Sequence, residues 1–178
     1  MGDADELLDL VDKNDKPIGT ILRSQKAAKL KVGHEFLRAS EIFILNKNGH
    51  FWIPRRSANK RIAPGGLDYS ASGHVSAGES YEKAVLREIE EELNLKIDSK
   101  SLNLLHKFPP TGDETLFFRA VYVYKTGEVP NYNPEDFSGY EWLTPKELLK
   151  RLENGEPAKR SLKETIEWLI KHEAELRS

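Results

Sequence analysis

The chain contains no cysteine. Disulfides, thiolate-bound zinc and cysteine nucleophiles are therefore excluded. Long apolar runs are also missing: no stretch approaches the roughly 20 residues that a membrane-spanning helix needs. The opening, MGDADELLDL, is acidic and lacks the basic-then-apolar order of a signal peptide. Neither sign of charge dominates, since 27 Lys and Arg stand against 29 Asp and Glu, for a net −2. A global attraction for nucleic acid is thus not implied, and anion binding must come from a local basic cluster. Together these absences predict a cytoplasmic protein with neither a nucleic-acid polymer nor a membrane as partner.

What is present suits one globular domain. The 178 residues are 38% hydrophobic and 31% charged, enough to build a real core. No repeat or low-complexity linker interrupts them. LLDLVD (7–12), a polar KNDKP turn and IGTILR (18–23) predict a β-hairpin. Ser24 is expected to cap a short helix over QKAAKL. EIFILN (41–46) and HFWIPR (50–55), joined through Asn48-Gly49, predict a second hairpin. Residues 57–72, rich in Ser, Asn, Pro and Gly, read as a long loop of the kind that is functional or disordered. A helix begins after Ser80, with Val85, Ile89 and Leu93 at i, i+4 and i+8. LFFRAVYVY (116–124) and 140–143 read as strands, then Pro145 starts a helix through Leu152, and 162–176 form a last amphipathic helix. Strands and helices so intermixed predict a mixed sheet with helices packed on it.

One short segment concentrates charge. Within GHVSAGESYEKAVLREIEEELNL (73–95), Glu88, Glu90, Glu91 and Glu92 fall in five positions. Like charges three or four apart repel by about 0.2–0.5 kcal/mol per pair. On a helix Glu88, Glu91 and Glu92 share one face, while Glu90 points elsewhere into solvent. Three carboxylates on one face, after a glycine-containing loop, suit a hard divalent cation that offsets their repulsion. A solvated acidic helix face is the plainer reading of the charges alone.

The wider spacing decides between them. Gly73, five residues, Glu79, seven residues, then Arg87-Glu88-Ile89-x-Glu91-Glu92-x-x-Leu95 resembles the Nudix box, G-x5-E-x7-R-E-U-x-E-E-x-G-U. One specified position differs: Asn94 stands where the family has glycine. Asparagine is the next-best residue for the left-handed turn that ends a helix there, so normal termination is expected. The resemblance implies the Nudix fold, an α/β (α+β) arrangement with a mixed sheet sandwiched between helices. It would span 1–178 as a single domain, with an N-terminal hairpin 7–23, the box at 73–95 and C-terminal helices at about 145–176. It further implies Mg²⁺-dependent cleavage of a diphosphate linkage in a small-molecule substrate, with Mn²⁺ as the alternative ion and a homodimer as a frequent state of the family. Glu88, Glu91, Glu92 and the Gly73 carbonyl would hold the metal. Arg87 and Glu79 would pair to fix loop to helix, and Glu91 or Glu92 would act as general base. Arg55, Arg56, Lys60 and Arg61, around the long loop, are candidates to neutralise the diphosphate, arginine in bidentate fashion.

Beyond the box, LLDLVDKNDKPIGT through RRSANKRIAPGGLDYSASGHVSAGES resembles the branch containing type 1 isopentenyl-diphosphate isomerase and its hydrolase-like relatives. Pro64-Gly65-Gly66 lies ahead of the box rather than abutting it, as in that branch. The isomerase uses an essential cysteine just before the Gly-His, and here Ser72 stands there. A hydroxyl is far too weak an acid to replace a thiol in that role. His74 matches one ligand of the isomerase's second metal site, whereas Leu37 occupies another and His34 is out of register. His74 is accordingly a candidate substrate-facing residue or a plain loop histidine. The full glutamate set favours hydrolysis over isomerisation; a non-catalytic diphosphate sensor is the third reading. Phe117, Phe118, Tyr122 and Tyr124 are expected to pack the sheet rather than stack on bases, and Trp142 to lie in the core, with Tyr69 a weaker candidate for stacking on a substrate base. Selectivity is expected in 57–72 and 109–115.

Overall fold

The segment LRASEIFIL (37–45) shows no alternation of buried and exposed residues, because from Ser40 to Leu45 both of its faces are covered. The computed structural model describes residues 6–31, 33–111 and 116–173. The strands are β1 Leu7–Val11, β2 Pro17–Leu22, β3 Leu37–Leu45, β4 Phe51–Arg56, β5 Ala71–His74, β6 Leu102–Phe108, β7 Phe117–Lys125 and β8 Phe137–Leu143. The helices are α1 Lys26–Lys29, α2 Tyr81–Leu93, α3 Pro145–Glu153 and α4 Leu162–Lys171. The main sheet runs β6-β7-β3-β4-β8, with β5 also on β3. β3 and β7 pair in parallel from Leu37↔Phe117 to Leu45↔Lys125, and the remaining pairs are antiparallel.

Burial on both faces makes β3 the keel. Ile42 and Ile44 pack with Val85, Ile89 and Leu93 of α2. Phe43 and Leu45 pack on the opposite side with Leu162, Ile166 and Leu169 of α4. The period of two thus sends successive residues to different helical layers. β3 and β4 share only the Leu45↔Phe51 pair beside their turn. The strands then diverge, and β5 takes the vacated edge of β3, from Ala39↔His74 to Ile42↔Ala71. That divergence is what brings the start of the glutamate-rich segment into the sheet.

The β1–β2 hairpin is separate and braces this region. Leu8 and Ile21 pack on Leu37, Ala77 N–H donates to Leu7 O at 2.8 Å, and Gly78 N–H donates to Asp9 at 3.1 Å. Four expectations need correction. Ser24 caps nothing: it lies inside a 3₁₀ turn, Arg23–Gln25, and α1 begins at Lys26 with Gln25 at its cap position and no side-chain cap bond. The long loop ends at residue 70, its last two positions belonging to β5. The last helix stops at Lys171, and 174–178 lie outside the described residues. β6 is an added strand without a sequence signal, because LNLLHKF pairs mostly through partly exposed residues and lacks alternation.

Candidate active site

Strand β5, the loop after it and α2 build the site. Ser80 caps α2 by accepting from Lys83 N–H, and Ala84, Val85, Ile89 and Leu93 bury its apolar side. The other side carries the charge. Arg87 is the hub: its Nε and Nη2 donate to the two oxygens of Glu79 at 3.2 and 3.1 Å. Its Nη2 also reaches His74 O at 2.9 Å, and Nη1 reaches Glu88 Oε1 at 2.6 Å and Glu91 at 3.5 Å. Burial works against the Arg87 charge, but Glu79 and Glu88 outweigh it and hold the guanidinium above its usual range. The predicted Arg87–Glu79 pair is therefore present and bidentate, and it ties loop, strand and helix to one residue.

Gly73 has a steric reason. A Cβ there would lie 1.9 Å from Glu88 Oε1, so only glycine lets that carboxylate lie against the strand. Glu92 meets the same strand one residue earlier, accepting from Ser72 N–H at 3.0 Å. The helix then ends as its sequence suggests. Asn94 adopts the left-handed conformation (φ 50°, ψ 35°), its N–H returns to Glu90 O, and its amide donates to Asn131 O at 2.7 Å.

The three carboxylates do not share one environment. Glu88 is buried, Glu92 is partly buried, and Glu91 is exposed. Burial raises the Glu88 carboxyl, although Arg87 opposes the shift. Burial raises Glu92 further, and the charges of Glu88 and Asp68 add to it. Glu90 points away and pairs with Lys96 at 2.9 Å. Among the described residues no three His, Asp or Glu groups converge on a metal-sized point. Arg87 and the Ser72 amide occupy the carboxylates instead. The donor chemistry still fits a hard divalent cation: oxygen donors only, two of them desolvated and mutually repelling beside a bare glycine backbone.

The candidate basic residues divide. Arg55 pairs with Glu141 at 3.4 Å and Glu156 at 2.8 Å. Arg56 pairs with Asp68, and Lys60 with Asp136. Their charges are met by the protein's own carboxylates. Arg61 is exposed and lies near Lys26. Tyr69 is a correction: it is wholly buried, its hydroxyl joined to Thr165, Ser161 and Arg119, so no base can stack on it. Trp142 is partly buried rather than fully in the core. Residues 112–115 of the second selectivity loop lie outside the described residues.

Two cations beside β5 have no counterpart in the sequence reading. Lys26 Nζ lies 2.9 Å from His74 Nε2, and Lys159 Nζ donates to Ser72 Oγ. Neither belongs to a motif, and each comes from a distant part of the chain. Burial, then Lys26 and the further cations, push His74 down to about 2, so the imidazole is neutral.

The sequence pattern of the NUDIX domain matches residues 35–166. The chain belongs to the Nudix family. A Nudix hydrolase of Deinococcus radiodurans is 42% identical over 172 residues, covering 97% of this chain and 98% of that one. A crystal structure from the same organism superposes with a TM-score of 0.82 at 42% identity, covering 91% of this chain and 98% of that chain. An isopentenyl-diphosphate Delta-isomerase of Photorhabdus laumondii is more distant, 28% identical over 154 residues and 84% of each chain. This Nudix protein is thus a hydrolase of a diphosphate-cleaving class whose members generally use divalent metal ions, with isomerases among its remoter relatives. Among the described residues, no helix is long and apolar enough to cross a membrane.

Proposed function

We propose that this Nudix protein is a Mg²⁺-dependent hydrolase, with Mn²⁺ as an alternative ion, acting on a nucleoside-diphosphate-X or related small-molecule diphosphate. The observation that carries this reading is the folded box itself, with Glu88 seated on Gly73 and Arg87 clamped to Glu79. Glu88 and Glu92, with the Gly73 carbonyl, would hold the ion, and Glu91 would act beside it as the base. Bound Mg²⁺ supplies Lewis acidity that polarises a phosphoryl oxygen and acidifies water.

The chain's own groups do the rest. Arg87 keeps Glu88 and the loop in register. Ser72 N–H fixes Glu92, which leaves Glu91, exposed and held only by a 3.5 Å contact, freer to take a proton from the attacking water. Ser72 in place of a cysteine argues against proton transfer to carbon. A panel of nucleotide sugars, dinucleotides, oxidised nucleotides and isoprenoid diphosphates, incubated with Mg²⁺ or with chelator, tests the reading. Metal-dependent release of a phosphorylated product from at least one class supports it. Binding without turnover across the panel would favour the sensor instead.

A further inference from the structure

Strand β5 meets carboxylates along its backbone and ammonium groups through two of its side chains. Glu92 bonds to the Ser72 amide and Glu88 lies on Gly73. The side chains of Ser72 and His74, two residues apart and so on one face, each meet an ammonium. Lys159 is not a loose surface lysine. Leu67 N–H donates to Pro157 O at 2.8 Å and Lys159 N–H donates to Leu67 O at 2.9 Å, a short parallel bridge. Gly66 makes room for it, since a Cβ there would lie 2.8 Å from Pro157 O. The ammonium then rests between Ser72 Oγ and Asp68, the latter at 3.7 Å and already paired with Arg56.

Lys26 is more exceptional. An ammonium has only donors, so His74 Nε2 must be the acceptor and the imidazole proton sits on Nδ1, which is buried without a partner. No carboxylate among the described residues touches Lys26. Burial and the nearby charges of Arg23, Arg61 and Lys159 push it down to about 8, with Glu6 the attractive charge among these neighbours. Glu6 is itself engaged by Arg23 at 3.1 Å. Like charges gather here in a partly desolvated place, Lys26 facing a neutral imidazole and Lys159 sharing Asp68 with Arg56, so the cluster has capacity for a further anion.

We propose that Lys26 and Lys159 form the subsite for the substrate phosphate that lies away from the metal, so that a diphosphate spans β5 with its cation toward the glutamates and its second phosphate toward the two lysines. This rests on the diphosphate reading above and adds two binding residues from outside the box. Inorganic diphosphate is the probe, titrated calorimetrically into the intact protein at low ionic strength with and without Mg²⁺. Lys26→Gln and Lys159→Gln, each checked for an unchanged melting profile, are each expected to weaken binding about tenfold or more, as for loss of a charge-assisted contact of ~1.5–3 kcal/mol. Lys26→Met and Lys159→Met provide second variants without hydrogen-bonding capacity. Wild-type affinity in the folded variants, or no diphosphate binding by the wild type in either condition, would overturn the subsite. Lysine-dependent binding with no turnover of any panel substrate would keep the subsite while overturning the hydrolase reading. Turnover with KM unchanged in both variants would do the reverse.

Discussion

Glu92→Gln should stabilise the metal-free protein while removing its response to metal. Glu92 and Glu88 both hold their protons more tightly in the fold than in the unfolded chain, where a glutamate titrates near 4.5. Between that value and the raised folded one, the native state binds more protons than the unfolded state. Stability therefore falls as pH rises through this window, by up to about 1.4 kcal/mol per pH unit for each such carboxylate. Glutamine has nearly the same volume and keeps an oxygen for the Ser72 amide, but carries no charge. At pH 7 without metal the variant should gain about 1 kcal/mol, or roughly 2–4 °C in a chain of this size. Its stability should also vary less between pH 5 and 8. Mg²⁺ at about a hundred times its dissociation constant should add about 2.7 kcal/mol to the wild type and clearly less to the variant. Differential scanning calorimetry across that pH range, with chelator and with Mg²⁺, measures each term. A metal-free variant that melts below the wild type would show that the Glu92 charge is not strained, and an equal gain from Mg²⁺ would show that Glu92 is not a metal ligand.

Other predictions address separate links. Gly73→Ala should swing the flexible Glu88 carboxylate off the strand, removing most of the metal-dependent turnover with little loss of stability, read by product assay and chemical denaturation. Arg119→Met should cost about 3–5 kcal/mol in urea unfolding, because Glu41, bonded to Arg119 at 3.0 Å, stays buried without its partner; adding Glu41→Leu should recover much of the loss. Asn94→Ala should destabilise by about 1–2 kcal/mol through its left-handed backbone, whereas Asn94→Gly should be near neutral. Incubation with isopentenyl diphosphate in deuterated water should leave the carbon-bound protons unexchanged, since Ser72 offers no acid of thiol strength; measurable exchange by NMR would restore the isomerase reading.

The box was legible because its chemistry is local. Helical geometry alone puts Glu88, Glu91 and Glu92 on one face, and the Nudix resemblance implied the Arg87–Glu79 pair, whereas the close seat of Glu88 on Gly73 emerged only in the structure. Asn94 was readable for the same reason, since the left-handed stop depends on its own backbone. What failed to show was nonlocal. Arg55, Arg56 and Lys60 looked available until strand pairing and the long loop brought Glu141, Glu156, Asp136 and Asp68 to them. Lys159 reaches Ser72 across 87 positions and Lys26 reaches His74 across 48, with no motif to announce either. Tyr69 sat in a loop rich in turn residues, yet that loop dives into the core, where Arg119 and Thr165 take its hydroxyl.

Metal-dependent hydrolysis by the folded box stands or falls on turnover by the Glu91→Gln/Glu92→Gln double variant. Product release from a cleaved diphosphate is followed with Mg²⁺, beside circular dichroism to confirm the fold. The expected result is a folded protein whose metal-dependent turnover is lost. Undiminished turnover in that folded variant would mean that these glutamates do not carry the chemistry.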